Sequence, residues 1–119
     1  MIDCFREDEL RIEVTETDGV VVLSWQGESD SRDPRRALRP YLMKLKDALR
    51  ARRVRMDFEK LAYMNSATVT PLVEFVGELS LRATEVVIHY RNDLQWQATS
   101  FRAMRIVARK WSNVSILGV

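Results

Sequence analysis

The stretch from Arg55 to Val76, RMDFEKLAYMNSATVTPLVEFV, contains the transition that decides the fold. Around its start, the apolar residues Val54, Met56 and Phe58 alternate with charged residues. This alternation is typical of a strand buried on one face. Its second half places apolar residues at the helical spacing i, i+3, i+4 and i+7. These positions are Val69, Leu72, Val73 and Val76. We therefore predict a short strand that ends in a loop, followed by a central helix that runs to about Ala83.

Small residues, three of them polar, occupy the predicted entry to this helix: Asn65, Ser66, Ala67 and Thr68. A helix N-terminus leaves backbone amides unpaired and carries partial positive charge, so a phosphoryl group is stabilised there. Pro71 predicts either a loose first turn or a helix that begins at Thr70, and both versions leave the hydroxyls exposed. The plainer alternative is that Asn65 and Ser66 only cap the helix.

Elements before this stretch are predicted from alternation and turn residues. A strand over Leu10–Thr15 and a strand over Val20–Gly27 flank the turn Thr17-Asp18-Gly19, since Asp-Gly favours tight hairpin turns. We predict the first helix from Asp33-Pro34, with Asp33 as its cap. Its core stripe consists of Leu38, Leu42, Leu45 and Leu49, and Arg52 with Arg53 is expected in its last turn. Pro40 predicts either a kink or the start of the regular part.

After the central helix, the pattern predicts a strand over Glu85–Tyr90, a helix after Arg91-Asn92-Asp93 and a last strand over Val114–Leu117. The fold class is therefore α/β. One-sided alternation of the strands favours a mixed four- to five-stranded sheet, an N-terminal hairpin followed by parallel strands, with three helices mainly on one face. Residues 1–119 are expected to form a single domain.

The composition is that of an ordinary globular protein, with 46% hydrophobic and 30% charged residues among 119. Apolar runs are too short for a transmembrane helix, so we expect no membrane insertion. The N-terminus MIDCFREDEL carries acids where a signal peptide needs basic and then apolar residues, which favours a cytoplasmic protein. Cys4 is the only cysteine, so an internal disulfide or a multi-cysteine zinc site is excluded.

Charge is unevenly distributed although the net charge is only +2. Residues 1–30 hold nine acids and two bases, whereas residues 32–55 hold ten bases and two acids. The basic helix is either a solvated face or a surface for nucleic acid, anionic lipid or an acidic protein. A nucleic-acid module would use Arg35, Arg36, Arg39, Arg102, Arg105 and Arg109. Few aromatic residues lie on the strands to stack with bases, so we do not expect a nucleic-acid partner.

The residue patterns of catalysis are missing from the sequence. His89 is the single histidine and falls inside a predicted strand, and no Gly-rich phosphate loop, zinc-spaced cluster or nucleophile elbow occurs. We therefore predict a protein that is not an enzyme, with no catalytic residue, no cofactor and no metal.

The element order and the segment DFEKLAYMNSATVTPL resemble the STAS domain, the fold of bacterial anti-sigma factor antagonists. Asp57 is similar to the family's strand-end Asp, and Leu61, Tyr63 and Met64 to its apolar-aromatic lead-in. Ser66 falls on the family's phosphorylated hydroxyl. The pair Gly27-Glu28 also resembles the family's Gly-Glu-Leu-Asp.

Two departures from the family pattern are visible. Asn65 replaces the usual Asp, and Thr68 with Thr70 replaces the glycines of the loop. Some STAS-like switch proteins nevertheless carry Asn immediately before the acceptor hydroxyl, and Tyr63-Met64-Asn65-Ser66 is similar to that variant.

The resemblance implies a regulator of transcription in bacterial signal transduction that exchanges partners on phosphorylation of Ser66, with Thr68 as the fallback acceptor. Its implied partners are a serine kinase or anti-sigma factor of the histidine-kinase-like ATPase type and a metal-dependent Ser/Thr phosphatase. The implied partner-binding residues are Asp57, Tyr63, Met64, Asn65, Ser66, Ala67, Thr68, Val69 and Thr70. The alternative is a constitutive STAS subunit of a transporter or other larger complex, without phosphorylation. Tyr63 and Trp96 are candidate interface anchors, and we expect a monomer or a weak dimer.

Overall fold

Six strands and three helices follow one another in the computed structural model, which describes residues 1–119. They are β1 (Asp3–Glu7), β2 (Leu10–Thr17), β3 (Val20–Ser29), α1 (Leu38–Ala48), β4 (Arg53–Met64), α2 (Ser66–Leu81), β5 (Glu85–Tyr90), α3 (Gln95–Ala108) and β6 (Val114–Gly118). The strands form one sheet in the order β1-β2-β3-β4-β5-β6. Neighbours are antiparallel from β1 to β3 and parallel from β3 to β6.

One face of the sheet is buried and the other is not. Ile12, Leu23, Met56 and Ile88 are fully buried on four successive strands, and residues between them on each strand lie on the opposite, more accessible face. A single cluster of 27 buried apolar residues joins this face to the helices. The predicted mixed α/β sheet with one apolar face is confirmed. None of the three helices is long and apolar enough to cross a membrane.

The sheet has six strands rather than four or five, because β1 was not predicted. Its sequence, DCFRE, contains a single large apolar residue that packs inward, so it carries no alternation signal. Phe5 stacks on Tyr41 of α1 with ring centroids 4.8 Å apart, and the strand pairs along its length with β2. Tertiary contacts, not local pattern, therefore create this strand.

Helix α1 begins at Leu38, so the predicted start and cap at Asp33 are wrong. The residues between them form a turn, and no side chain caps the helix. Pro40 consequently falls in the first turn, where its missing amide costs no intrahelical hydrogen bond. All four predicted core leucines are buried. Arg52 and Arg53 lie beyond the helix, at the start of β4.

Strand β4 continues to Met64, so the predicted loop before the central helix is wrong. Leu61 and Met64 are buried there, and β4 follows β3 through two shifts of register. Helix α2 begins directly after Asn65 and runs through Pro71 to Leu81 rather than Ala83. Ala83 has a positive φ of 58°, which ends the helix.

Candidate functional site

Asn65 holds the first turn of α2 in place. Its backbone is extended, with φ −77° and ψ 165°, as an N-cap residue requires. Its side-chain Oδ1 accepts hydrogen bonds from the backbone amide of Thr68 at 3.0 Å and from the Thr68 hydroxyl at 2.6 Å. Of the two residues considered as caps, Asn65 is the N-cap and Ser66 is the first residue of the helix, and the first turn is fixed rather than loose.

Thr68 lies inside the protein, with 0% of its surface exposed. Its hydroxyl is 2.7 Å from the hydroxyl of Ser29, which is itself buried at the end of β3. The backbone amide of Asn65 donates to the Ser29 carbonyl at 2.9 Å. Two hydrogen bonds therefore join the end of β3 to the entry of α2. The expected exposure of Thr68 is wrong, because this network covers its hydroxyl.

The structure explains why an amide stands at position 65. Asn65 Nδ2 donates to the carbonyl of Ser31 at 2.8 Å, which fixes the segment between β3 and α1 beside the helix entry. A carboxylate has no proton to donate there and would face the carbonyl oxygen. Asn65 therefore caps α2 and clamps the neighbouring loop with one side chain.

Ser66 is the first residue of α2 and is exposed. The backbone amides of Ser66 and Ala67 belong to the first turn, where no preceding helical carbonyl is available to them. The accessible hydroxyl thus lies at the positive end of a 16-residue helix. Pro71 lies deeper in the helix and does not displace this hydroxyl into a loop.

We call the surface around the entry of α2 the corner. Only some of the other predicted partner-binding residues lie on it. Tyr63 is 45% exposed at the end of β4, Thr70 is exposed and Val69 is half-buried. Met64 is buried and faces the core, so it adds no outer surface. Trp96 is half-buried and packs against the core.

Asp57 does not reach the corner. It lies in the middle of β4, directly beside His89 of β5, on the sheet face opposite the helices. Its Oδ1 accepts a hydrogen bond from the Glu59 amide at 2.9 Å. The assignment of Asp57 to the strand end is wrong, because pairing with β3 extends β4 well past it.

Two residues that support the corner were not predicted. Ser29 lies beyond the predicted end of the second strand at Gly27, and Gln97 of α3 was not singled out. Gln97 is fully buried, and its Nε2 donates to the carbonyls of Phe58 at 2.7 Å and Leu61 at 2.9 Å. Its Oε1 accepts from the Arg91 amide at 2.7 Å. The signal for Gln97 was its helical spacing of i, i+4 with the core residue Phe101.

These bonds explain how β4 extends beyond its neighbour. Strand β5 pairs with β4 only as far as Asp57, which leaves later β4 carbonyls without a strand partner on that side. Gln97 takes the place of the missing strand for two of them. The strand therefore carries the chain to Met64, directly before the cap at Asn65.

The arginines named for a nucleic-acid module lie in two separate regions, in or just before α1 and in or just after α3, and two of them are engaged within the chain. Arg39 Nε donates to Glu74 at 2.8 Å, and Arg105 donates to the Ile116 carbonyl and the Tyr90 hydroxyl, each at 3.1 Å. No three His, Cys, Asp or Glu side chains lie close enough to one another to hold a metal ion.

Comparison of the whole chain with solved structures identifies the architecture. An anti-sigma factor antagonist from Mycobacterium paratuberculosis superposes with a TM-score of 0.65 at 15% identity, over 92% of this chain and 88% of that one. The anti-sigma factor antagonist SpoIIAA in its unphosphorylated form superposes with a TM-score of 0.57 at 18% identity, over 91% and 88%. This chain has the STAS-like fold of anti-sigma factor antagonists.

The predicted likeness to the STAS fold is thereby confirmed at the level of architecture. No family model matches the chain, and no curated protein matches it.

Proposed function

We propose that this chain is a non-enzymatic, cytoplasmic regulator of the anti-sigma factor antagonist type, which exchanges protein partners when Ser66 is phosphorylated. The exposed hydroxyl of Ser66 beside the buried hydroxyl of Thr68 is the observation that carries the proposal. The fold of the structural neighbours supports the same class of function. Thr68 does not fit the role of fallback acceptor, because a kinase cannot reach it without opening the β3–α2 contact.

Phosphorylation of Ser66 would change the corner by charge rather than by refolding. A phosphoserine carries a charge of about −1.5 to −2 and three acceptor oxygens, which the helix N-terminus stabilises. The clamp from Asn65 to Ser31 and Thr68 holds the backbone in both states. A partner that covers Ser66 would have to bury this charge without a counterion, which opposes binding.

The surface offered to such a partner is small and mixed. It comprises Tyr63, Ser66, Ala67, Val69 and Thr70, in which Tyr63 supplies an exposed aromatic ring. We propose that the unphosphorylated form binds a serine kinase or anti-sigma factor of the histidine-kinase-like ATPase type here. A metal-dependent Ser/Thr phosphatase would restore this form.

The acceptor is tested by the intact mass of protein purified from its own cells under several growth conditions. Wild type is expected to show a population heavier by one phosphoryl group, and Ser66→Ala to lose it. Thr70→Ala is the matched control, because Thr70 is an exposed hydroxyl on the same helix and should leave the heavier population unchanged. A heavier population that persists in Ser66→Ala contradicts the assignment.

The switch is tested by affinity capture with three baits from the same cells. Wild type and Ser66→Ala are expected to retain the kinase-like partner, whereas Ser66→Asp should retain at least about tenfold less, since a buried unpaired charge costs more than 1.4 kcal/mol. Equal recovery on all three baits contradicts the proposal. Circular dichroism of Ser66→Asp verifies that the bait is folded.

The alternative is a constitutive subunit of a transporter or another larger complex. Hydrogen bonds hold the entry of α2 in one conformation. This observation favours a constitutive subunit, because a preformed surface binds a permanent partner at a lower entropic cost. An unmodified mass under every growth condition, together with Ser66→Asp still captured in the complex, would support it.

A further inference from the structure

The two edges of the sheet carry opposite charge. β1 forms one edge and β6 the other, so the segments that contain them lie at opposite ends of the sheet. Residues 1–9 carry four acids and one base, whereas residues 94–119 carry four bases and no acid. Such a distribution creates an acidic end and a basic end on one small protein.

Strand β6 is an edge strand with little protection. Asn113 and Val119, which flank the strand, accept hydrogen bonds from the backbone amides of Val86 in β5 at 2.9 Å and of Asn92 beyond β5 at 3.1 Å. Since backbone groups alternate in direction along a strand, Val114, Ile116 and Gly118 direct theirs outward. The Val114 amide is already paired, because it donates to the Trp111 carbonyl at 3.3 Å. Charged residues, proline and β-bulges are the usual means of protecting an edge strand. The sequence VSILG contains no charged residue and no proline, and its pairing with β5 has no bulge.

Arg105 covers one outward group of β6, the Ile116 carbonyl, through a hydrogen bond of 3.1 Å. Together with Arg109 it lines a groove beside the apolar residues of the strand. Neither arginine forms an ion pair within the chain. Leu117 is 49% exposed at the same edge. This edge thus offers unpaired backbone groups, an apolar side chain and two unpaired cations.

Strand β1 offers the complement. Asp3 and Glu7 pair with Val14 and Leu10, which are buried on the helix-covered face, so both acids lie on the helix side of the sheet. Arg105 and Arg109 of α3 lie on that same side. Ile2, directly before β1, is 88% exposed and supplies an apolar side chain.

We propose that copies of this chain associate head to tail, with β1 of one copy beside β6 of the next. β1 runs in the same direction as β6, because β1 and β3 are both antiparallel to β2 and the strands from β3 to β6 are parallel. A second copy that continues the sheet therefore keeps its helices on the same side. This arrangement brings Asp3, at the start of β1, toward Arg109 of the neighbouring copy and Glu7, at the end of β1, toward Arg105. Asp3 also accepts a hydrogen bond from the Tyr41 hydroxyl at 2.9 Å.

In a single copy, Arg105 occupies the Ile116 carbonyl at this edge and so hinders strand pairing there. When it turns from the Ile116 carbonyl to a carboxylate of the incoming copy, the carbonyl becomes free to pair with β1. The contact is heterologous, since it joins two different surfaces, so it produces open chains of copies rather than a closed dimer. It involves neither Ser66 nor the entry of α2, and Ser66→Ala should leave it unchanged.

The test is sedimentation velocity of wild type, Asp3→Lys, Arg109→Glu and an equimolar mixture of the two variants, over a concentration series. The average mass of wild type is expected to rise with concentration at low salt and to fall when salt shortens the screening length. Each variant alone should associate about tenfold more weakly, because like charges then meet at every contact. The mixture should recover association, because the reversed charge of one variant faces the reversed charge of the other.

Arg50→Glu is the matched control, since Arg50 is exposed after α1 and its reversal changes the net charge equally without touching either edge. It should associate as wild type does. A wild type that stays monomeric at every concentration overturns the proposal. So does a mixture that associates no more strongly than its separate variants.

Discussion

The hydroxyl oxygens of Ser29 and Thr68 lie 2.7 Å apart inside the protein, and this contact joins the end of β3 to the first turn of α2. Thr68 also donates to Asn65 Oδ1, so the cap of the helix and the end of the strand share one hydrogen-bond network. The position of the Ser66 hydroxyl therefore depends on residues 39 positions apart in sequence.

Replacement of Thr68 by valine removes the shared hydroxyl while it conserves the shape. We expect Thr68→Val to lower the free energy of unfolding by about 1–3 kcal/mol, because the buried Ser29 hydroxyl loses its partner. Urea denaturation measures the change. Thr70→Val, at an exposed position of the same helix, should shift stability by no more than about 0.5 kcal/mol. Equal stability of both variants would mean that the network contributes nothing.

Gln97→Met tests how β4 is extended. Methionine is similar in length but cannot bond the carbonyls of Phe58 and Leu61 or the amide of Arg91, and these buried groups are left unpaired. We expect a loss of at least about 2 kcal/mol in unfolding free energy by urea denaturation. Gln95→Met, exposed on the same helix, is the control and should be nearly neutral. A neutral Gln97→Met would show that water replaces the amide.

Gly27→Ala tests the close approach of the turn between β1 and β2 to β3. Gly27 has φ +84°, and a Cβ built there lies 1.9 Å from the Glu9 carbonyl oxygen, so the backbone must shift. We expect a loss of more than about 2 kcal/mol. Gly19→Ala has a similar φ of +79° but meets nothing within 4 Å, so it should lose only about 1 kcal/mol. Thermal and urea denaturation of both variants separate the clash from the backbone strain, and equal losses would exclude the clash.

Glu16 links the acid stability of the fold to Arg52. The hydrogen bond from Arg52 lowers the pKa of Glu16 below its ordinary value of 4.5. Because the folded pKa lies below the unfolded one, the stabilisation is present above the unfolded value and is lost as pH falls through the folded one. Glu16→Gln should therefore lose less stability than wild type between about pH 5 and about pH 3. Urea denaturation midpoints of wild type and Glu16→Gln, measured across this pH range, test the prediction. Parallel pH dependences of the two proteins would show that the bond from Arg52 to Glu16 does not contribute to acid stability.

The sequence predicted most of the helices and strands because each of them carries its own apolar period. The leucine stripe of α1 and the alternation of β5 report which face is buried without reference to any partner. Strand β1 carries no such period, since its inward packing rests on Phe5 alone. It forms because β2 supplies hydrogen bonds and Tyr41 supplies a ring to stack against.

At the candidate site, the residue types at the entry of α2 follow from the sequence. Capping by Asn65 was one of the alternatives that the sequence left open, because capping is a local interaction. The burial of Thr68 and the position of Asp57 in the middle of β4, away from Ser66, became visible only in the folded chain. Both outcomes depend on β4, whose length is set by pairing with β3 and by the hydrogen bonds that Gln97 donates to two of its carbonyls. Contacts between residues distant in sequence leave no local period, so only the folded chain shows which hydroxyl remains at the surface.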